Sequence, residues 1–253
     1  MRLRVLTYNI HRAIGLDRRF RPGRIVEIVD HYDPDLVLFQ EVDEGVPRSR
    51  ELDLARELAR ELGYPHYAVG HNVSLRKGRY GNATLSRFPI LRERNIDLTV
   101  GGRKRRGCQH TTLLLERPGG GGRDGTVLEL FNLHLGLSAW ERSRQAEILA
   151  RCGELADLPP ETPCMIAGDF NDWRSRLRSF FQHELGLCCA TDRPTQRGAR
   201  AFQTYPAMSP RGGLDKIYFR GAIRLVAAHP CRLSVARRAS DHLPIVADFE
   251  LPG

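Results

Sequence analysis

"MIAGDFNDW", Met165–Trp173, sets an apolar run directly against a Gly, two Asp and an Asn. Apolar Met165, Ile166 and Ala167 run into Gly168, and Asp169, Asn171 and Asp172 follow within four residues. A strand leaving a core often ends this way in an ordinary turn. It can also hold working groups at its tip. On an extended backbone residues i and i+2 point to the same side. Asp169 and Asn171 are therefore expected to face one ligand while Phe170 anchors the segment. Nothing in the spacing draws Asp172 or Trp173 into that pair, and both stand outside the expected site.

The pattern recurs along the chain. Strand-like runs occur at "RLRVLTYNI" (2–10), "DLVLFQEV" (35–42), "NATLS" (82–86), "HTTLLLE" (110–116), "VLELFNLHL" (127–135), "PCMIAGDF" (163–170), "LDKIYF" (214–219) and "LPIVADFEL" (243–251). Several are apolar throughout, as strands buried on both faces are. Helical patterns lie between them. "PGRIVEIVDHY" carries Pro22 at its start and a stripe of Ile25, Ile28, Val29 and Tyr32. "RELDLARELARELG" repeats Leu at 52, 54, 58 and 62 and stops at Gly63. "SAWERSRQAEILARCGELAD" opens with Ser138 and Glu141 in capping-box spacing. Phe180 and Phe181 of "SFFQHEL" sit at helical spacing and read as core. Strands mixed with helices from end to end predict an α/β (α+β) sandwich forming one domain over residues 1–253. "RPGGGGRDG" (117–125) reads as a hairpin connection, and "GGRKRRG" (101–107) as a basic loop, either solvated or touching phosphate.

Composition narrows the function. The chain has 253 residues, 41% hydrophobic and 27% charged, enough for one large buried core. A net charge of +9 and a pI near 9.6 favour a polyanionic partner. All but Lys77, Lys104 and Lys216 of the Lys and Arg residues are Arg, a bias that genome composition also produces. The six Cys show no C-x-x-C spacing and read as reduced thiols, against a zinc site. No leader pattern and no apolar run of membrane-spanning length is found, so a cytoplasmic protein, monomeric by default, is expected.

Strand after strand ends in a polar group: Asn9, Gln40 and Glu41, Asn132 and His134, Asp169 and Asn171, with Asp215 opening one strand and Asp241 and His242 preceding the last. One such residue is usually a cap or a satisfied half-buried group. Converging, they would form a cluster rich in carboxylates, amides and imidazoles. Carboxylates without thiolates suit a hard cation such as Mg²⁺ or Mn²⁺. A carboxylate kept off the metal can deprotonate water, and amide and imidazole donors can hold anionic oxygens. These are parts for hydrolysing a phosphate ester. The chain has no P-loop, no nucleophile elbow and no H-E-x-x-H.

The pieces "TYNIH" (7–11), "LFQEVD" (38–43), "YGNATLSRFPI" (80–90), "FNLHLG" (131–136), "AGDFND" (167–172), "LDKIYF" (214–219) and "SDHLPIVADFEL" (240–251), in this order, resemble the endonuclease/exonuclease/phosphatase superfamily with its DNase I-like fold, and its small bacterial members most. The resemblance implies a four-layer sandwich, two mixed β-sheets face to face with helices on the outer faces. It implies a phosphoesterase using at least one Mg²⁺ or Mn²⁺ ion. By position, Glu41 is then the principal metal ligand, with Asn9 and Asp241 beside it. Asp169 manages the attacking water, Asn171, His134 and His242 hold phosphoryl oxygens, and Asp215 orients His242. Asn82, His11 and Arg106 are candidate substrate contacts. His11 stands where abasic-site nucleases of the family carry an acid, which weakens that specialisation. Nucleic acid is the first expected substrate, and a small phosphoester (phospholipid headgroup, inositol phosphate or nucleotide conjugate) the second. A non-catalytic binding module on the same fold is the third reading.

Overall fold

A computed structural model describes residues 1–116, 125–196 and 198–251. The hairpin connection expected at 117–125 lies, for 117–124, outside the described residues. The strands in chain order are β1 (Arg2–Asn9), β2 (Leu36–Glu44), β3 (His66–Ser74), β4 (Arg79–Ser86), β5 (Ile90–Asp97), β6 (Gly107–Leu115), β7 (Thr126–His134), β8 (Cys164–Asp169), β9 (Cys188–Cys189), β10 (Asp192–Thr195), β11 (Gly198–Ala201), β12 (Asp215–Arg220), β13 (Arg224–Pro230) and β14 (Ile245–Glu250). The helices are α1 (Gly23–Tyr32), α2 (Leu54–Leu62), α3 (Ala139–Arg151) and the single turns α4 (Gly153–Ala156) and α5 (Ala236–Ala239).

One six-stranded sheet runs β13-β14-β1-β2-β4-β3 and the other β5-β6-β7-β8-β12-β9. Each is antiparallel except for one central parallel pair, β1 with β2 and β7 with β8. Strand periodicity sorts the side chains into three cores and so into four layers. Leu3 and Val5, Leu36 and Leu38, Leu128 and Leu130, Met165 and Ala167, and Ile217 and Phe219 fill the space between the sheets. The alternate residues Leu6, Tyr8, Val37 and Phe39 pack outward on α1, α2 and α5. Phe131, Leu133, Ile166 and Tyr218 pack outward on α3 and α4, with Phe170 and Phe181 beside them. Each fully buried aliphatic side chain in these layers contributes roughly 1.5–3 kcal/mol.

Local signals explain the helix ends. Ser138 accepts a hydrogen bond from the Glu141 backbone N–H at 3.1 Å and so starts α3. Asp53 caps α2 from Arg56 N–H, so the helix begins at Leu54 and excludes Leu52 from the expected Leu repeat. Gly63 closes it in the left-handed conformation.

The inward-facing rows turn polar near one edge, and there the sheets are tied by side chains. Gln40 Nε2 donates to Asn132 Oδ1 at 2.8 Å, and Asn132 Nδ2 donates to the carbonyls of Phe39 and Ala83. Asn82 Nδ2 donates to the carbonyls of Gly107 and Asn132, and Thr84 Oγ1 to Gln109 Oε1. Gln40 and Asn132 are thus spent in holding one sheet against the other.

Candidate active site

The same parity rule places the candidate side chains. Asn9 follows Leu3 and Val5, His134 follows Leu128 and Leu130, Asp169 follows Met165 and Ala167, and Asp215 precedes Ile217 and Phe219. All four therefore enter the cleft between the sheets, where apolar packing gives way to polar groups. Glu41 breaks the rule. The pairing of β2 with β4 shifts register between Phe39 and Val42, and Glu41 adopts a positive φ of 58°. A bulge of this kind re-aims a side chain that strict alternation would send the other way.

Asp169 is the centre of the cluster. It is buried, accepts from Asn9 Nδ2 at 3.0 Å and from the Asn171 backbone N–H at 2.9 Å, and lies 3.5 Å from His134 Nε2 and 3.6 Å from His242 Nε2. Asn171 has a φ of 50°, so the segment is not extended there. The expectation that Asp169 and Asn171 share a side because the backbone is extended is corrected: the Asp169 carboxylate folds the chain into an Asx turn. Asn171 Nδ2 donates to the Leu135 carbonyl at 2.9 Å, tying the turn to the end of β7. Gly168 makes the close approach possible, because a Cβ there would stand 2.0 Å from the Leu133 carbonyl oxygen, at a φ of 134°.

His242 Nδ1 donates to Asp215 Oδ2 at 2.9 Å, and Thr204 Oγ1 donates to the same oxygen at 2.5 Å. Ser240 Oγ donates to the Asn9 carbonyl at 2.7 Å and accepts from the His242 N–H, which joins the last loop to β1. Asp241 is half-buried beside it. Burial pulls the His242 imidazolium down, but the Asp215 and Asp169 carboxylates outweigh it and carry the group up to about 10. Burial raises the Asp169 carboxyl to about 6, against the opposing charge of His242. Burial also holds His134 well below the ordinary imidazole value, helped by Arg106 and His242. The site thus holds a charged imidazole, a neutral one and a carboxylate that titrates close to neutrality.

The remaining expected residues lie next to this cluster. Glu41, Asn82, Arg106 and His134 line one small cavity, together with Tyr80 and Arg105. Of the basic loop, Lys104 stands over the Tyr80 ring at 5.3 Å, and Arg106 is buried with Nε unpartnered. Glu41 Oε2 is buried and accepts no hydrogen bond; Arg12 Nε lies 3.3 Å away as an ion pair. His11 N–H donates to Asn9 Oδ1, and His11 Nδ1 meets the Ile14 carbonyl at 2.9 Å. His11, Arg12 and Ala13 all have positive φ, between 46° and 61°, a left-handed turn that L-residues form only under tertiary constraint. Arg12, Thr204, Tyr205 and Ser240 escaped the sequence reading. Ser240 was next to the Asp-His pair, whereas nothing local marks Thr204 or Tyr205.

Asp169, Asp215 and His242 present ligand atoms within 4.8 Å of one another. A charged His242 that donates through Nδ1 makes a poor cation ligand, so its hydrogen bond to Asp215 and its ion pair with Asp169 explain this closeness better than an ion. Among the described residues the buried Oε2 of Glu41 is held by the Arg12 ion pair alone, and this carboxylate is the group that fits a hard divalent cation.

Fold and site together define a sandwich of the DNase I-like class. The chain belongs to the endonuclease/exonuclease/phosphatase family, whose model matches residues 6–242. Members of this family are phosphoesterases and nucleases, generally dependent on a divalent metal. The chain is similar to YbhP, an uncharacterised protein of Escherichia coli K12, with 31% identity over 258 residues covering 98% of this chain and 96% of the relative. A family structure from Beutenbergia cavernae superposes with a TM-score of 0.80 at 25% identity, covering 100% of this chain and 72% of that one. The human Nocturnin catalytic domain, solved with a bound sulfate anion, superposes with a TM-score of 0.74 at 23% identity, covering 99% and 94%. No helix among the described residues is long and apolar enough to cross a membrane.

Proposed function

We propose that the chain is a divalent-metal-dependent phosphoesterase that hydrolyses P–O bonds by in-line attack of water, with a phosphodiester in nucleic acid as first substrate. The observation that carries this reading is the buried Asp169 carboxylate, raised to about 6 and ringed by Asn9, Asn171, His134 and His242. At neutral pH it is mostly ionised, and it is basic enough to accept a proton from an attacking water. His242, charged and held by Asp215, donates to a phosphoryl oxygen as negative charge develops. Neutral His134, 3.5 Å from Asp169, and the Asn171 amide would share that load. Glu41, with Asn9 and Asp241, would hold the ion. A bound Mg²⁺ or Mn²⁺ supplies Lewis-acid stabilisation of the phosphoryl oxygens.

The test is a panel of single- and double-stranded DNA, RNA, phospholipids, inositol phosphates and an aryl phosphodiester, each with Mg²⁺ or Mn²⁺ and with Asp169→Ala as control. Turnover that survives Asp169→Ala at the wild-type rate would overturn the assignment. A second reading, a small phosphoester, draws support from the small size of the cavity shared by Glu41, Asn82, Arg106 and His134. Salt separates the two: affinity for a nucleic-acid backbone falls steeply as salt rises, and a flat response favours the small substrate.

A further inference from the structure

Trp173 was set outside the expected site, yet the fold carries it to the rim. Its ring packs edge-to-face on Tyr205 at 5.5 Å, and Tyr205 lies 4.9 Å from the His242 ring. Two ring-to-ring steps thus lead from the imidazole to an indole that is 53% exposed. The segment bearing it is tied down on both sides. Asp172 Oδ2 accepts from the Leu177 N–H at 2.8 Å, and Asp172 pairs with Arg142 at 4.0 Å. Lys216 Nζ, itself buried, donates to Ser175 Oγ at 3.1 Å. The indole also presses on bare backbone, since a Cβ on Gly212 would stand 2.7 Å from Trp173 Cζ3. Any larger residue at 212 would displace the ring.

A large apolar ring left half in water gains little for the fold, yet this one is held in place by a glycine, a tyrosine and two anchored neighbours. Preorganisation of this kind reduces the ordering cost of binding a flat partner. The indole stays accessible to a planar ring, and Tyr205 stands between it and His242. The net charge of +9 favours a ligand that is also anionic.

We propose that Trp173, braced by Tyr205 and Gly212, is a stacking platform for a nucleobase attached to the phosphate that His242 holds. The platform rests on the phosphoesterase reading and makes the substrate a nucleotide-bearing phosphoester. Stacking of a base on an aromatic side chain is worth about 1–3 kcal/mol, which converts to roughly 5- to 150-fold in affinity.

The experiment uses full-length protein carrying Asp169→Ala to block turnover, with Mg²⁺ present. Trp140→Phe leaves Trp173 as the sole indole. AMP and ribose 5-phosphate are titrated, followed by indole quenching and by calorimetry. AMP is expected to quench Trp173 and to bind ~5-fold or more tightly than ribose 5-phosphate. Trp173→Ala should erase that ratio, while Trp173→Phe keeps most of it and confirms that the segment folds. Equal affinity for the two ligands, no AMP binding at millimolar concentration, or a ratio untouched by Trp173→Ala overturns the platform. So does a Trp173-dependent association with phosphatidylglycerol vesicles in a protein that binds both ligands alike. If base-dependent binding is found but the protein without the Asp169 change hydrolyses no phosphoester, the platform stands and the catalytic reading falls.

Discussion

Replacing Asp215 by Asn tests the electrostatics of the site most directly. The Asp215 carboxylate is buried and accepts through Oδ2 from His242 Nδ1 at 2.9 Å and from Thr204 Oγ1 at 2.5 Å, and among the described residues its Oδ1 has no hydrogen-bond partner. Asn keeps an acceptor of the same shape and removes the charge. In the wild type His242 titrates near 10 instead of the ordinary 6.5, an interval worth about 5 kcal/mol of preference for the charged form. A group whose folded value is raised contributes stability that is fully present below its unfolded value. That contribution disappears as pH rises from 6.5 through 10. The raised Asp169 carboxyl acts in a separate window, weakening the fold as pH rises from 3.8 to 6. Ionisations that do not depend on Asp215 or His242 are shared by wild type and variant and cancel in the difference. Wild type should therefore lose at least ~2 kcal/mol more unfolding free energy than Asp215→Asn between pH 6.5 and 10, allowing for relaxation around the buried pair. Urea unfolding across that range measures it, and the His242 ring resonances give the titration itself. Without the Asp215 carboxylate only Asp169 and Asp241 oppose burial, and His242 should titrate well below its wild-type value. Equal titration points in the two proteins, or equal loss of stability, would refute the reasoning.

Other outcomes follow from the same geometry. Asp169→Ala, Asn171→Ala and His242→Ala are each expected to lower kcat by ~10²–10³ on any substrate the panel identifies, with circular dichroism unchanged. EDTA should abolish turnover and Mg²⁺ or Mn²⁺ restore it; Glu41→Gln should need more metal for half-maximal rate, and an unchanged metal titration would remove Glu41 from the ion's ligands. Asn132→Ala strips two donors and one acceptor from the seam between the sheets, leaving the carbonyls of Phe39 and Ala83 without these donors while the Gln40 amide keeps Thr7 Oγ1 and the Leu38 carbonyl. It should cost about 3 kcal/mol or more in urea unfolding, and a loss below about 1 kcal/mol would show that water or relaxation replaces those bonds.

Much of this protein could be read before its structure. Apolar runs ending in Asn9, His134 and Asp169 mark both the strands and the edge where the site lies, because side-chain alternation is a local property of extended backbone. The Ser138 and Gly63 signals are local too, and they mark where α3 starts and α2 ends. Other features depended on partners distant in sequence. Gln40 and Asn132 look like site residues in the sequence, but each finds its hydrogen bond on the opposite sheet. Asn171 joins Asp169 through a turn closed by the Asp169 carboxylate, where the sequence suggested extended chain. The bulge that turns Glu41 and the left-handed turn at His11–Ala13 have no composition signal, since neither uses the glycine such conformations favour. Trp173 shows the limit most clearly. Its neighbours in sequence give it no role; the rings and bare backbone of Tyr205, His242 and Gly212, more than thirty residues away, do. The sequence alone determined which residues alternate into the cleft, whereas only tertiary contact decided which polar groups were satisfied there and which remained free for chemistry.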